Sequence, residues 1–197
     1  MIKTIPGAEG PILRLSRHRW TYADLQAMGE TMERYEIIDG VLYMSPSAHV
    51  RRHQQVVTHL LFVLKSWVSA RNLGEVFTAP ADVVVSPERV VQPDVFFITA
   101  ERMHIVDAYV DGAPDLIMEV VSPSSVDYDR VTKFDLYEEI GVREYWIVDP
   151  QERCIDVFSL NEGRYGTGKR FGPGEEAASV LLPGFTVLVD EVLPSDR

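Results

Sequence analysis

Hydrophobic and polar residues along the chain follow two spacings, one typical of strands and one typical of helices. Alternation with a period of two predicts strands, and apolar residues three or four positions apart predict helices. The helical spacing predicts helices at about 21–28, 48–72 and 127–141. The alternating spacing predicts strands at about 35–38, 41–44, 75–78, 81–85, 90–98, 116–121, 145–148, 154–160, 164–171 and 185–189. We therefore expect helices combined with a sheet, with a C-terminal β-meander from residue 154 onward and an Asp-Gly hairpin turn at 39–40.

Two of the predicted strands each carry a carboxylate among apolar neighbours. Asp94 begins the run 94–98, which is otherwise apolar on both faces, and Glu119 is the one charged residue of 116–121. Both runs are typical of strands covered on both sides. Burying a lone carboxylate costs several kcal/mol unless it is paired or binds a cation. A metal ion shared by Asp94 and Glu119 would compensate both charges, and a hydrogen-bonded structural pair is the alternative.

The third predicted helix places a lysine on its apolar face. Lys133 precedes Leu136, Tyr137 and Ile140 by three, four and seven positions, and residues at these spacings share one face. This lysine can reach the glutamate of the preceding strand, although a lysine at the edge of an amphipathic helix often extends to solvent instead. Two carboxylates and a lysine around a cation are suited to phosphodiester hydrolysis, because the metal activates water and the lysine stabilises negative charge.

Two further acids occur in predicted strands. Glu36 lies next to two isoleucines in the first hairpin strand and faces either solvent or the candidate site. Asp82 lies on a strand that we expect to pair with the Asp94 strand. We expect Asp82 to support the site from a sheet edge rather than to bind a metal directly.

The length and composition are those of one domain with a sizeable core. The chain has 197 residues, of which 46% are hydrophobic. We expect an N-terminal arm at 1–19 and a single domain at 20–197. A single cysteine, Cys154, excludes an intramolecular disulfide and suits a reducing cytosol. The N-terminus lacks the apolar core of a signal peptide, and the most apolar run contains His59 and Lys65, so we predict a cytoplasmic protein that does not span a membrane.

The charge is unevenly distributed along the chain. The net charge is −11, which argues against a broad nucleic-acid-binding surface, because neutralising phosphates needs basic groups. Residues 1–72 hold 9 Lys and Arg against 6 Asp and Glu, whereas residues 73–197 hold 10 against 24. A polyanion would have to approach the N-terminal part, near Arg51, Arg52 and Gln55, or depend on metal ions that offset the acidic ligands.

Four phrases of the sequence resemble one family when taken in order. They are YEIIDGVL, VVQPDVFFI, PDLIMEVVSPSS and GVREYWIVDP. Together they are similar to the Uma-two family of restriction-endonuclease-like proteins, a branch of the PD-(D/E)xK nuclease superfamily, over roughly residues 20–190. In this resemblance Pro93-Asp94 supplies the PD, and Glu119 supplies the (D/E).

The resemblance implies a restriction-endonuclease-like fold of the α/β (α+β) class, with a central mixed β-sheet flanked by helices. It also implies a divalent cation, Mg²⁺ with Mn²⁺ as a substitute, held by Asp94 and Glu119. The lysine expected two residues after the glutamate is Val121 here, and Lys133 is its natural replacement. Glu36 corresponds to an N-terminal acid that adds a metal contact. In this fold the long helix borders the cleft, but a polar face on a surface helix is the ordinary explanation for Gln55 and His53.

These expectations predict a metal-dependent endonuclease acting on DNA, with RNA left open. Cutting two strands favours a homodimer with two sites. The alternative is a catalytically degenerate binding or oligomerising module on the same fold, which the acidic charge and the displaced lysine both favour.

Overall fold

A computed structural model of the protein describes residues 13–15, 18–29, 33–45, 50–122, 125 and 127–193, with the backbone alone for residues 13–15, 45, 50 and 51. The strands are β1 (Leu13–Leu15), β2 (Arg34–Ile38), β3 (Val41–Ser45), β4 (Gly74–Thr78), β5 (Val83–Ser86), β6 (Arg89–Val91), β7 (Val95–Thr99), β8 (Val110–Asp111), β9 (Leu116–Val120), β10 (Glu144–Asp149), β11 (Cys154–Asn161), β12 (Arg164–Tyr165), β13 (Lys169–Phe171), β14 (Glu176–Ala178) and β15 (Thr186–Leu188). The helices are α1 (Tyr22–Met28), α2 (Val50–Ser69), a 3₁₀ helix (Ala100–Ile105), a π-helix (Tyr128–Lys133), α3 (Phe134–Glu139) and α4 (Val189–Val192).

The central sheet contains seven strands and is mixed. Its order is β12-β11-β10-β9-β7-β4, and β13 also pairs with β11. β9 and β10 run parallel, whereas β7 is antiparallel to both β9 and β4. Every residue of β9 and β10 is buried, as expected for strands covered on both faces. This mixed sheet with flanking helices confirms the predicted fold class.

Helices cover both faces of the central sheet. On one face, Leu64 of α2 packs in a core with Phe97 and Trp146. On the other face, Tyr137 of α3 packs in a second core with Phe96. The alternation of Phe96 and Phe97 between the two cores is the period-two pattern read from the sequence. Each such side chain contributes about 1.5–3 kcal/mol by leaving water, so the sheet is held by burial from both sides.

A second sheet of six strands lies in the order β1-β3-β2-β6-β5-β8. Its β2–β3 hairpin turns at Asp39 and Gly40, which have φ angles of 53° and 75°. Two consecutive positive φ angles match the tight turns that favour Asp-Gly, so the predicted hairpin is confirmed. The N-terminal arm is described in small part, and its residues 13–15 form β1 along β3.

The run 90–98 was predicted as one strand, and this prediction is wrong. It divides into β6 and β7, which belong to different sheets. The break falls at residues 92–94, where Pro93 has no N–H to give to a ladder. Consequently Asp82, just before β5, does not pair with the Asp94 strand, because β5 pairs with β6 and β8.

The helices largely follow the predicted bounds. α1 begins with a capping box, in which Asp24 Oδ2 accepts hydrogen bonds from the backbone N–H and the hydroxyl of Thr21. α2 ends at Ser69, three residues before the predicted end. The third predicted helix begins as a π-helix and continues as α3. None of the helices in the described ranges is long and apolar enough to cross a membrane.

The C-terminal strands are shorter than predicted. Residues 164–171 divide into β12 and β13, which both pair with β11. β14 and β15 pair with each other in a separate two-stranded sheet. The chain after residue 154 therefore forms short antiparallel strands, some of which extend the central sheet.

Candidate active site

Four buried carboxylates converge on one lysine where the two larger sheets meet. Glu36 comes from β2, Asp94 from the break before β7, and Glu119 from β9. Asp129 and Lys133 come from the π-helix. Each of these five residues is at most 4% exposed. We call the five together the acidic cluster.

Lys133 lies at the centre of the acidic cluster. Its Nζ is 2.8 Å from Glu119 Oε1, 3.0 Å from Glu36 Oε1 and 3.8 Å from Asp129 Oδ1. Burial by itself lowers the pKa of the lysine, but the carboxylates of Glu119 and Glu36 outweigh burial and hold this pKa above its usual value. Lys133 is therefore a permanent positive charge, and it does not extend to solvent.

Glu119 accepts hydrogen bonds at both of its oxygens. Oε1 accepts from Lys133 Nζ and from the Tyr137 hydroxyl, each at 2.8 Å. Oε2 accepts a longer bond, 3.3 Å, from the backbone N–H of Asp94. Burial, together with the charges of Asp94 and Asp129, raises the pKa of Glu119 to about 8 despite the lysine. This carboxyl group therefore holds a proton near neutral pH until a further cation compensates its charge.

Asp94 has stronger partners than Glu119. Its Oδ1 accepts from Arg34 Nη1 at 2.8 Å, and its Oδ2 accepts from the backbone N–H of Val120 at 2.9 Å. His53 Nε2 lies 3.2 Å from the same Oδ2. Burial by itself raises the pKa of Asp94, but the hydrogen bond with His53 and the charge of Arg34 outweigh it and hold this pKa below its usual value. Asp94 is therefore ionised throughout the neutral range.

Glu36 points into the acidic cluster and not into solvent. Its Oε1 accepts from the backbone N–H of Gln92 at 2.8 Å, and its Oε2 accepts from the Tyr128 hydroxyl at 3.0 Å. The break between β6 and β7 makes the first contact possible, because it frees the N–H of Gln92 from a strand ladder. The structure thus brings together all four residues predicted as catalytic: Asp94, Glu119, Lys133 and Glu36.

Several residues of the site were not predicted as site residues, among them Arg34, Asp129, Tyr128 and His53. Arg34 precedes Glu36 by two positions on β2, so strand alternation alone could have found it. Burial, with the charges of Asp94 and Glu36, raises the pKa of Asp129 to about 6. Tyr128 and Lys133 are five positions apart, a spacing that brings side chains together in a π-helix and not in an α-helix. His53 was attributed to the polar face of a surface helix, but it contacts the site.

The remaining predicted positions lie outside the cluster or outside the described side chains. Asp82 accepts from Gln92 Nε2 at 2.8 Å and from the Tyr22 hydroxyl at 3.3 Å. Arg52 Nη2 donates to the carbonyl oxygen of Pro150 at 2.9 Å. Gln55 is exposed on α2, and the side chain of Arg51 lies outside the described residues. The predicted substrate-binding roles of these α2 residues remain predictions.

The acidic cluster has the chemistry of a site for a hard divalent cation. Within the described ranges, no three His, Cys, Asp or Glu side chains converge as ligands of one metal ion. Mg²⁺, however, is often held by one or two carboxylates, with water and substrate phosphate oxygens completing the shell. Asp94 and Glu119 are two such carboxylates, joined by the hydrogen bond from the Asp94 N–H. The donor set therefore fits Mg²⁺ or Mn²⁺.

Comparison with known proteins identifies the family. The family model Uma2, described as putative restriction endonuclease, matches residues 21–190. The chain belongs to the Uma2 family. A crystal structure of a putative nuclease of DUF820 from Anabaena variabilis matches with a TM-score of 0.72 and 16% sequence identity, covering 88% of this chain and 97% of that one. No curated protein matches the sequence. The Uma2 protein thus has the nuclease-like fold that the four sequence phrases predicted.

Proposed function

We propose that this Uma2 protein is a metal-dependent endonuclease that hydrolyses phosphodiester bonds of DNA. The observation that carries the proposal is the contact of Lys133 with Glu119, next to Asp94, in one buried cluster. Two carboxylates and a lysine are the groups that the PD-(D/E)xK arrangement uses, and here the lysine comes from a helix instead of the glutamate strand.

In this proposal Asp94 and Glu119 hold the divalent cation. When bound there, such an ion would polarise the phosphoryl group and lower the pKa of a water molecule. Lys133 stays protonated and stabilises negative charge that develops on the phosphoryl oxygens. Glu36 and the Tyr137 hydroxyl hold Lys133 and Glu119 in place, so that these groups need little rearrangement during the reaction.

The charge of the site supports a bound cation. When all four carboxylates of the acidic cluster are ionised, Lys133 and Arg34 supply two permanent positive charges. Burial raises the pKa of Glu119, and the negative charges of Asp94 and Asp129 add to this effect. A divalent cation would neutralise the excess negative charge of the four carboxylates without protonating them. If Lys133 and Arg34 alone balanced the carboxylates, no cation would be needed.

DNA is the proposed substrate, and the cytoplasm is the proposed location. Because duplex cleavage requires two strands to be cut, a homodimer with two equivalent sites would fit this activity. Assays on matched duplex DNA, single-stranded DNA and RNA distinguish the substrate, and light scattering measures the oligomeric state.

The decisive test is a calorimetric titration of Mn²⁺ into wild type and Glu119→Gln, followed by Mg²⁺-dependent cleavage of supercoiled plasmid. Binding and cleavage are expected in wild type and lost in Glu119→Gln. Glu75→Gln is a matched control, because Glu75 lies on β4 of the same sheet but pairs with Lys65 at the surface. Unchanged cleavage by folded Glu119→Gln would contradict the assignment.

The second candidate function is a catalytically degenerate binding module, and one observation favours it. Every carboxylate oxygen of Asp94 and Glu119 already accepts a hydrogen bond from the protein, so the network can close without an ion. This candidate predicts no Mn²⁺ binding in wild type at millimolar concentration and no cleavage.

A further inference from the structure

Three buried nitrogen atoms beside Asp94 lack a hydrogen-bond partner in the described ranges. They are Nε and Nη2 of Arg34 and Nδ1 of His53. Both side chains use another nitrogen to contact Asp94, Arg34 through Nη1 and His53 through Nε2. Buried donors are paired in most folded proteins, so unpaired ones at a candidate active site call for an explanation. A bound ligand that supplies the missing hydrogen-bond partners would explain them directly.

The two unpaired nitrogens of Arg34 belong to one edge of its guanidinium group. The N–H bonds of Nε and Nη2 on that edge are parallel, and this fork matches two oxygens of a phosphate or a carboxylate. The nearby carboxylates have other donors. Glu36 accepts from Lys133 and Tyr128, and Glu119 accepts from Lys133 and Tyr137. The fork of Arg34 therefore has no acceptor among the described residues, and an anion from outside the chain would supply one.

The position of the fork is next to the proposed chemistry. Arg34 comes from β2 and His53 from α2, and they meet at the carboxylate of Asp94. The backbone N–H of the same Asp94 contacts Glu119. An anion bound by Arg34 would thus lie beside the acidic cluster, which would otherwise repel it. A fixed bidentate arginine is a way for a chain with a net charge of −11 to hold a phosphate there.

We propose that the Nε–Nη2 edge of Arg34, with Nδ1 of His53 as a further polar contact, binds a phosphate group of the nucleic-acid backbone and positions it beside Asp94 and Glu119. The inference rests on the proposed function, because that function supplies the phosphodiester. It adds a phosphate-binding residue to the two metal-holding acids and the lysine.

The first test measures phosphate binding without catalysis. Inorganic phosphate is titrated in EDTA and followed by ³¹P NMR, for wild type, Arg34→Lys, Arg34→Gln and the control Arg71→Gln. Arg34→Lys keeps a positive charge next to Asp94 but has no fork. Lost phosphate binding in this variant therefore reports the missing fork and not a folding defect. We expect phosphate affinity to fall about tenfold or more in both Arg34 variants. Arg71 is exposed at the end of α2 and stacks on Trp67, so its variant should match wild type. Absence of phosphate binding by wild type, or equal binding by folded Arg34→Lys, overturns the inference.

The second test separates this inference from the proposed function. Steady-state cleavage of a labelled duplex in Mg²⁺ should show a raised KM for Arg34→Lys with a smaller change in kcat. If wild type cleaves and Arg34→Lys matches it in KM, kcat and phosphate affinity, the phosphate site is wrong and the nuclease assignment stands. If wild type binds phosphate through Arg34 but never cleaves, the nuclease assignment fails and the phosphate site stands.

Discussion

Lys133 Nζ lies 2.8 Å from Glu119 Oε1, and the two residues are 14 positions apart in the sequence. The lysine reaches the glutamate from a helix that packs across the sheet. The position two residues after the glutamate, Val121, lies in the apolar core with Ile117. A lysine at position 121 would face that apolar core. The positive charge therefore comes from Lys133 on the helix, and Val121 at the end of the strand packs in the core.

The substitution Lys133→Met tests how far the acidic cluster depends on this cation. Without it, Glu36, Glu119 and Asp129 lose a buried positive partner. We expect the free energy of unfolding at pH 7 to fall by about 3–5 kcal/mol, as when one partner of a buried ion pair is removed. Urea denaturation measures this change, and the loss should shrink at pH 5, where more of the carboxylates are protonated.

Lys65→Met is the matched control for Lys133→Met. Lys65 pairs with Glu75 at the surface, and exposed pairs contribute about 0–1 kcal/mol. A loss in Lys133→Met no larger than that of the control would show that the lysine does not balance the buried acids.

The substitution Tyr137→Phe removes one hydroxyl from the site and keeps the aromatic packing. The hydroxyl donates to Glu119 Oε1 at 2.8 Å, and Tyr137 is fully buried. We expect the free energy of unfolding at pH 7 to fall by about 0.5–1.5 kcal/mol, typical of a hydrogen bond between neutral groups, because Glu119 holds a proton at that pH. A double-mutant cycle with Glu119→Gln isolates the contact, and additive losses would show that the two side chains are not coupled.

Most of the site was predictable because it follows simple periodicities. Alternation placed Glu119 inside a covered strand and Asp94 beside another, although Asp94 lies in the break before β7. The helical spacing placed Lys133 on a buried face. Both predictions depend on the cost of burying a charge, which is the same in any fold. The sequence did not decide whether Glu36 faces solvent or the site, because a hairpin strand can turn either face to the core. Only the packing of the second sheet against the first decides which face is buried.

Other features of the site depend on tertiary contacts that a pattern along the chain does not contain. The break between β6 and β7 divides an apolar run that reads as one strand, and it directs the N–H of Gln92 to Glu36. The π-helix brings the Tyr128 ring to Lys133, because residues five positions apart meet in a π-helix and not in an α-helix. Asp129 lies four positions before Lys133, a spacing that an α-helix also places on one face. His53 lies on a helix with polar residues on several sides, so its contact with Asp94 depends on where α2 packs.

The stability of the protein should decrease as the pH rises through the neutral range. Glu119 has a pKa of about 8 in the folded chain and about 4.3 when unfolded. Between these values the folded state binds a proton that the unfolded state has lost, so the free energy of unfolding falls with rising pH. Asp94, whose pKa is lowered, has the opposite effect and destabilises the fold only in acid.

Urea denaturation at pH 5, 6.5 and 8 measures this dependence in wild type and Glu119→Gln. The wild-type free energy of unfolding should decline across the series, whereas the variant, which cannot titrate at this position, should have a flatter profile above pH 6. Parallel profiles for the two proteins would show that Glu119 does not hold the proton.

Metal binding should release protons in the same pH range. A carboxyl group must be ionised to bind a cation, and Glu119, with a pKa of about 8, is mostly protonated at pH 6.5. We therefore expect Mn²⁺ binding at pH 6.5 to release about one proton, and fewer at pH 9, where the group is already ionised. Calorimetric titrations in two buffers with different ionisation enthalpies give the number of protons directly. Mn²⁺ binding without proton release at pH 6.5 would contradict this prediction, because either the ion lies away from Glu119 or Glu119 holds no proton at that pH.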